Sequence, residues 1–295
     1  MYRKGVEIVD IQEIKKRADD KSSKKKYKEY HYDLFEKFLR YSGVEGKDVV
    51  VLGCSTGLDC QLFVLAGAKT VLGVDLDPGI GSDYLAPNVA YLRESISNLS
   101  SIANDSFDVV YSVAVFEHVF DIQGALNECR RILRPGGLAY ILSAPLWNSP
   151  FGHHYKSLME NYPWIHLVLG ESEAEIFLDR NGVKDCGNGS VREALQYIYH
   201  PQHFNRYPAA YYELAANSVE NIAILHNKAG RQPIESFGNL EFFNKAVERG
   251  FSKDELLSNM HLLVFRKKFR SKAVNAIRSV AWAVRPIARS LKRKL

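Results

Sequence analysis

The stretch VVVLGCSTGLDCQLFVLAGAKTVLGVDLD, Val49–Asp77, decides the fold of this chain. It begins with a continuous apolar run, which is typical of a strand buried on both faces, and the run ends at Gly53. A helical stretch follows, and a second apolar run ends at the acidic Asp75. This order predicts two parallel strands that are joined by a right-handed helical crossover.

A glycine after the first strand and an acid after the second indicate a nucleoside site. Glycine lets a ligand approach the backbone, and the N-terminus of the next helix offers free N–H groups. The carboxylate can accept hydrogen bonds from both hydroxyls of a ribose. The dinucleotide pattern G-x-G-x-x-G would need glycines at 53, 55 and 58, but Ser55 and Leu58 stand at two of these positions. We therefore expect an adenosine-like ligand without a dinucleotide loop.

The alternation of strands and helices continues along the chain and predicts an α/β sheet with helices on both faces. Further strands are predicted at Val89–Leu92, Phe107–Phe116, Leu138–Pro145, 221–227 and His261–Lys268, with helices at Asp59–Ala66, Gln123–Leu133 and 209–218 and a tight turn at Arg134–Gly137. The segment 146–202 is rich in aromatic residues, His, Gly and Pro, and we expect it to be an insertion over the strand ends.

Five segments result from this pattern. They are a polar, basic N-terminal arm or helix (1–30), a nucleoside-binding core (31–145), a lid for the substrate (146–202), the end of the core sheet (203–268) and a basic amphipathic tail (269–295).

Charge is distributed unevenly along the 295 residues. The net charge is +5, but Arg266–Leu295 contains 11 Lys and Arg and no acid, so the remainder has 28 basic and 34 acidic residues. A mildly acidic body is a poor surface for nucleic acid, which requires clustered cations. The tail predicts binding to an anionic membrane surface or to a partner protein, or a disordered segment.

The cellular compartment is predicted from what the sequence lacks. The four cysteines form no C-x-x-C pair, which favours a reducing compartment. The first residues show no apolar signal-peptide core, and no run approaches the roughly 20 apolar residues of a membrane span. We expect a cytoplasmic protein, peripheral to the inner face of the cell membrane if the tail binds lipid.

Four segments resemble the signatures of class I S-adenosylmethionine-dependent methyltransferases, in the right order and at normal spacing. These are VVVLGCSTG, VLGVDLD, FDVVYSVAVFEHV and LRPGG. The resemblance implies a Rossmann-like sheet of seven strands with the last one antiparallel, and S-adenosylmethionine as the cofactor over the first strands.

The resemblance also implies roles for individual residues. Gly53, Ser55 and Gly57 would line the methionine part of the cofactor, and Asp75 would hold the ribose with Leu76 beside the adenine. Glu94 and Ser95 would contact the adenine amine, and Ser112 and Val113 would lie below the sulfonium.

Two positions depart from the family pattern. Val51 replaces an acid that the family usually has two residues before the first glycine, and Ser55 replaces the middle glycine. Ser55 would fit if its φ angle were negative, and Asp59 could take over contact with the ammonium group of the cofactor. The departures also leave open a domain that keeps the fold but acts only as a scaffold in a polysaccharide assembly complex.

Histidines in the insertion are candidates for the chemistry. His153 and His154 could accept a proton from a hydroxyl or bind a metal ion with a carboxylate, or they could be polar loop residues. We expect a proton acceptor and no metal ion. His200 and His203 form a second candidate pair, and Glu117 and His118 could be an acid–base pair or serve packing.

The acceptor is predicted from a further resemblance. The segment SAPLWNSPFGHHYK is similar to methyltransferases of bacterial surface-polysaccharide biosynthesis, which include lipopolysaccharide among their products. It implies O-methylation of a sugar in a lipid-linked or surface glycan. The alternative is methylation of a small soluble metabolite under the lid.

Overall fold

The computed structural model describes residues 11–19, 29–184 and 190–269. Seven strands form one sheet in the order β3-β2-β1-β4-β5-β7-β6. The strands are β1 Asp48–Leu52, β2 Thr70–Asp75, β3 Val89–Arg93, β4 Phe107–Val113, β5 Leu133–Ser143, β6 Ile222–Arg231 and β7 Ser258–Lys267. The helices are α1 Ile11–Asp19, α2 Glu29–Leu39, α3 Leu58–Leu65, α4 Ile122–Ile132, α5 Lys156–Met159, α6 Ile165–Val168, α7 Glu171–Arg180, α8 Val191–Tyr199, α9 Ala209–Asn217, α10 Glu241–Glu248 and α11 Lys253–Leu257.

The first five strands are parallel, and β7 runs antiparallel between β5 and β6. The Rossmann-like sheet of seven strands is thereby confirmed. The second apolar run was predicted to end at Asp75, where β2 ends, and the bounds of the later strands agree with the predicted ones within five residues.

Alternate residues of the central strands are buried on opposite faces of the sheet. Val50 and Leu52 of β1 pack on the side of α4 and α9, whereas Val49 and Val51 pack on the side of α1, α2 and α3. Burial on both faces explains why the four residues Val49–Leu52 of β1 are all apolar. Val51 is 1% exposed inside this core, which is the physical reason why no acid is found there.

The N-terminal arm is partly a packed helix. Ile14 and Ala18 of α1 are buried in the same layer as α2 and α3. Residues 1–10 and 20–28 of the predicted arm lie outside the described residues, as do Arg270–Leu295 of the predicted basic tail.

The predicted turn at Arg134–Gly137 lies inside β5 as a bulge. Phe107 pairs with Leu133 and Val109 pairs with Leu138, so four residues of β5 protrude opposite a single residue of β4. Gly136 has a φ of 84°, which an L side chain rarely adopts. The bulge thus combines the predicted turn with a continuous strand.

A third apolar cluster lies outside the two layers of the sheet. It joins the insertion, residues 146–202, to the segment 232–257 between β6 and β7, through buried side chains of α7, α8, α10 and α11. Trp164 is fully buried in it, and its indole N–H donates to the carbonyl of Leu256 at 2.8 Å. Two regions that are far apart in the sequence therefore form one body at the carboxyl ends of the strands.

Among the described helices, none has the length and apolar character needed to cross a bilayer. The described cysteines Cys54, Cys60 and Cys129 are buried free thiols.

Buried histidines predict that acid destabilises the fold. Burial lowers the pKa values of His166 and His261 to about 4, from an ordinary value of 6.5, and His261 donates to Asn227 Oδ1 at 2.8 Å. Because the unfolded chain binds protons more readily at both rings, the free energy of unfolding should fall as the pH falls from 6.5 towards 4, by about 2 kcal/mol per ring at pH 5. Urea unfolding at pH 7.5 and pH 5 measures this loss.

The variant His261→Gln provides the control, because one of the buried rings with a lowered pKa is removed. Its loss of stability between pH 7.5 and pH 5 should be smaller than that of the unchanged chain. Equal losses for the two proteins would show that His261 makes no contribution.

Candidate functional site

A cavity of about 860 Å³ lies at the carboxyl ends of β1, β2, β3 and β4. Its volume is in the range of sites that bind small molecules and cofactors. We call it the first cavity. The residues that line it are Gly53, Ser55, Asp75, Leu76, Glu94, Ser95, Ile96, Ser97, Ala114, Val115, His118, Val119, Phe120, Asp121 and Gln202. Six of the predicted cofactor residues are thus brought together on one wall.

Asp75 connects the end of β2 to the glycine-containing loop. Its Oδ2 accepts from the backbone N–H of Ser55 at 2.7 Å, and its Oδ1 accepts from Leu76 and Asp77 at 2.7 and 2.9 Å. A carboxylate offers about four lone-pair sites, so one remains for a ligand. This geometry favours a single strong contact to a ribose hydroxyl rather than the expected pair.

The loop after β1 depends on left-handed backbone. Gly53 has a φ of 74°, and a Cβ there would lie 2.0 Å from Val115. Gly57 has a φ of 99°, and a Cβ would lie 2.3 Å from the hydroxyl of Tyr91, so this glycine lets the start of α3 approach β3. Ser55 has a φ of 46°, which corrects the expectation of a negative angle.

The far end of the first cavity suits an adenine. The Oε1 of Glu94 accepts from Ser100 and Ser101, but its Oε2 is buried without a hydrogen-bond partner among the described residues. This oxygen can accept from an exocyclic amine. Leu76 is 62% exposed and Phe120 is 46% exposed, and both can cover the faces of a base. The residues present therefore fit an adenosine-containing cofactor.

Other residues expected near the cofactor lie outside the lining of the first cavity. Ser112 is fully buried and donates to the carbonyl of Leu52 at 3.1 Å, and Val113 packs in the core beside it. The next two residues, Ala114 and Val115, line the cavity instead. Burial raises the pKa of Asp59 to about 6, which disfavours the charge needed to hold an ammonium group.

A second cavity of about 780 Å³ begins where β5 ends, at Ala144 and Pro145. Its other lining residues come from the insertion, from the β6–β7 connection and from the start of β7, and most of them are aromatic, amide or charged. They are Phe151, His154, Lys156, Glu160, Asn161, Tyr162, Pro163, Gln232, Ser236, Phe237, Gly238, Asn239 and Asn259. The Oε1 of Gln232 is buried without a partner among the described residues, so it can accept from a hydroxyl.

The two candidate histidines of the insertion differ in position. His153 is fully buried, lines neither cavity and accepts from the backbone N–H of Tyr155 at 3.0 Å, while burial lowers its pKa well below the ordinary value. This is the placement of a structural loop residue. His154 lines the second cavity, and its Nε2 is 3.6 Å from Oε1 of Glu117.

Glu117, His118 and His154 form a cluster between the cavities. Glu117 is 2% exposed, His118 lines the first cavity, and the rings of His118 and His154 are 5.0 Å apart. Both rings pack on the buried Phe204. The amide of Asn205 donates to the carbonyls of Phe116 and Val119 and so fixes the short 3-10 helix Phe116–His118. Burial lowers the pKa of His118 below its ordinary value.

The pair His200 and His203 lies beside this cluster, with stacked rings 4.3 Å apart. The carbonyl of His203 accepts from Nδ1 of His118 at 2.6 Å, and its own ring donates to the carbonyl of Tyr197. Through its backbone, His203 orients His118. The sequence did not indicate Gln232 and Asn259, because they lie 69 and 96 residues beyond Pro163, the last lining residue from the insertion, with no motif around them.

Comparisons with known proteins agree with this geometry. Residues 50–141 match a family model described as "Methyltransferase domain". The mitochondrial ubiquinone biosynthesis O-methyltransferase of Dictyostelium discoideum is 24% identical over 177 residues, 54% of each chain. An uncharacterized methyltransferase of Mycobacterium sp. (strain KMS) is 34% identical over 139 residues, 46% of this chain and 52% of the relative.

Among solved structures, an S-adenosylmethionine dependent methyltransferase from Mesorhizobium loti is 18% identical, with a TM-score of 0.45. The alignment covers 77% of this chain and 93% of that one. The chain spans about half the length of the curated relatives described above.

Removal of the Asp75 carboxylate should weaken the cofactor site. We expect Asp75→Ala to reduce the affinity for S-adenosylmethionine and S-adenosylhomocysteine by about 2–4 kcal/mol, since a charge-assisted contact and the anchor of the Ser55 loop are both lost. Isothermal titration calorimetry measures the change. Asp77→Asn, outside the cavity, is the matched control and should change the affinity by less than about threefold. Equal affinities for Asp75→Ala and the control would contradict this role.

The left-handed Ser55 predicts a stabilising substitution. An L residue in this conformation costs about 1–2 kcal/mol, and glycine removes that strain at a smaller entropic cost. Ser55→Gly should therefore raise the free energy of unfolding by about 0.5–1 kcal/mol and leave cofactor affinity within about threefold. Ser82→Gly, at an exposed turn position that has no positive φ, should lower it instead. Urea unfolding measures the free energy of unfolding of both variants. A lower value for Ser55→Gly than for the unchanged chain would refute the strain argument.

Strand order, the glycine loop, Asp75 and the match to the family model lead to the same assignment. The cofactor of this domain is S-adenosylmethionine, and the first cavity is the site that fits it. Residues 50–141 match the methyltransferase-domain model, and they lie within a seven-stranded sheet of Rossmann-like strand order.

Proposed function

We propose that the chain methylates a hydroxyl oxygen of a sugar, carried by a lipid-linked or growing surface glycan. The observation that carries the proposal is the arrangement of the two cavities. They adjoin at His118 and His154, so that a donor in the first cavity faces an acceptor in the second.

The lining of the second cavity supports a polyhydroxylated acceptor. The unpartnered Gln232 Oε1 can accept a hydrogen bond from a hydroxyl, and Asn161 and Asn259 offer further amides. Phe151, Tyr162 and Phe237 supply aromatic surface for the C–H face of a sugar ring. A purely apolar acceptor would leave these amides without partners, which is unfavourable.

S-adenosylmethionine supplies an electrophilic methyl group when it is bound. The chain's own contribution is to align the acceptor oxygen with that group, to exclude water and to favour loss of the hydroxyl proton. His154 lines the second cavity beside Glu117. It is therefore the residue that we expect to accept the hydroxyl proton or to orient the acceptor oxygen.

A second candidate is methylation of a phenolic hydroxyl on a small metabolite. It is favoured by the name of the Dictyostelium relative, which is a ubiquinone biosynthesis O-methyltransferase. The aromatic wall of the second cavity would also suit a phenol, but the buried amide oxygen of Gln232 favours the sugar.

The tail 269–295 would bring the domain to a membrane-held acceptor. Its eight Lys and Arg from residue 270 onward and its lack of acids favour an anionic lipid surface, with a partner protein as the alternative. The cytoplasmic, membrane-peripheral location is proposed on the same ground.

The test measures transfer of a labelled methyl group to a panel of lipid-linked saccharides, nucleotide sugars and catechols. We expect turnover with a saccharide, and a loss of about 10²–10⁴-fold in kcat for His154→Ala with unchanged cofactor affinity. Gln232→Leu should raise the KM for the saccharide about tenfold, the value of one hydrogen bond. The exposed His200→Ala is the control and should retain activity.

The outcomes separate the hypotheses. If only the catechols are methylated, the hypothesis of a sugar acceptor is wrong and that of a phenolic acceptor is supported. An unchanged kcat in His154→Ala would show that this residue takes no part in methyl transfer. If the chain binds neither S-adenosylmethionine nor S-adenosylhomocysteine at millimolar concentration, only the scaffold hypothesis remains.

A further inference from the structure

We propose that Glu117, His118 and His154 bind a divalent transition-metal ion of the Zn²⁺ class between the two cavities. One potential ligand atom from each residue lies within 4.8 Å of the others. The three residues come from the 3-10 helix after β4 and from the insertion after β5, so the fold, rather than a local sequence motif, brings them together.

The carboxylate of Glu117 is the strongest observation. Its side chain is 2% exposed, and neither oxygen has a hydrogen-bond partner among the described residues. His154 Nε2, at 3.6 Å from Oε1, is too distant for a hydrogen bond. A buried carboxylate without partners is strongly unfavourable unless a cation or a donor compensates for its lost hydration. A metal ion would supply that compensation.

Backbone carbonyls fix the tautomers of both histidines. The Nδ1 of His118 is 2.6 Å from the carbonyl of His203, and the Nδ1 of His154 is 2.9 Å from the carbonyl of Gly152. Since a carbonyl oxygen only accepts, both Nδ1 atoms carry a proton, and in the neutral ring each Nε2 therefore offers its lone pair. Metal-binding histidines in proteins usually have this arrangement, in which the second nitrogen donates to a carbonyl or carboxylate.

The backbone around His154 is held in place for this orientation. Its φ is 68°, and Gly152, two residues earlier, has no space for a side chain, because a Cβ would lie 2.2 Å from the carbonyl of Trp147. His154 N–H also donates to the carbonyl of Phe151 at 2.9 Å. The loop therefore fixes the backbone position from which the His154 ring reaches Glu117.

The ligand set indicates the class of ion. Two imidazoles and one carboxylate suit Zn²⁺ and related first-row ions, whereas Mg²⁺ and Ca²⁺ prefer oxygen ligands alone. Bonds of about 2.0–2.2 Å place neighbouring ligand atoms about 3–3.5 Å apart, so the cluster would contract by about 1 Å on binding. Three protein ligands leave at least one position for water or for an acceptor oxygen.

The position of the cluster suggests what the ion does. His118 faces the first cavity and His154 the second, so an ion held by both would meet the acceptor at the point of transfer. A bound hydroxyl would be oriented, and its pKa would fall. This role rests on the proposed function, whereas binding of the ion does not.

The test is metal binding by the untagged full chain, without cofactor or acceptor. After treatment with a chelator, the protein is titrated with Co²⁺, followed by visible absorption, and with Zn²⁺, followed by calorimetry. We expect one equivalent to bind with a micromolar or lower Kd. Glu117→Gln and His154→Gln should each weaken binding at least 30-fold, and the control His200→Ala should change it by less than threefold.

Circular dichroism confirms that each variant is folded. Bound Zn²⁺ should also raise the Tm of the unchanged chain but not that of Glu117→Gln. The proposal is overturned if the chain shows no saturable binding at 100 µM ion, or if the Glu117 and His154 variants bind as tightly as the control. In that case His154 can still accept a proton, whereas failure of methyl transfer with intact metal binding would refute only the proposed function.

Discussion

The hydrogen bond from the backbone N–H of Ser55 to the carboxylate of Asp75 is the contact on which the cofactor site depends. It joins the carboxyl ends of β1 and β2, two strands that are already in register, and so turns the glycine loop towards the first cavity. Ser55 keeps its left-handed conformation because its N–H group is bound to Asp75 and because Gly53 and Gly57 on either side are closely packed. Strain at one residue is thus offset by a charge-assisted hydrogen bond to its own N–H group.

The core and the cofactor wall followed from the sequence because both are local. Continuous apolar runs specify strands, and parallel strands bring the ends of β1, β2 and β3 to one edge, where Asp75 and Glu94 meet. The φ angle of Ser55 was not predictable, since it is set by contacts with β2 and not by the residue itself. Likewise, the burial of Ser112 behind the cavity lining was not predictable, because it depends on the hydrogen bond from its hydroxyl to the carbonyl of Leu52.

The acceptor side required the three-dimensional structure. His153 and His154 are neighbours in the sequence, yet one is buried in the insertion and the other lines the second cavity. The distinction arises from the turn at Gly152 and the left-handed His154, which no periodic pattern reveals. Glu117 is informative only once its burial without partners is known. The same short segment therefore serves packing through Phe116, and the two residues that follow it are ligands in the proposed metal site.

The shared apolar cluster of the insertion and the β6–β7 connection makes them one exchangeable unit. If residues 146–202 alone were transferred to a related domain, Trp164 would lose its hydrogen bond to the carbonyl of Leu256. The apolar faces of α7 and α8 that pack on α10 would also become exposed. A chimera designed to acquire a new acceptor should therefore carry both segments across together, while the part before β4 can stay with its host.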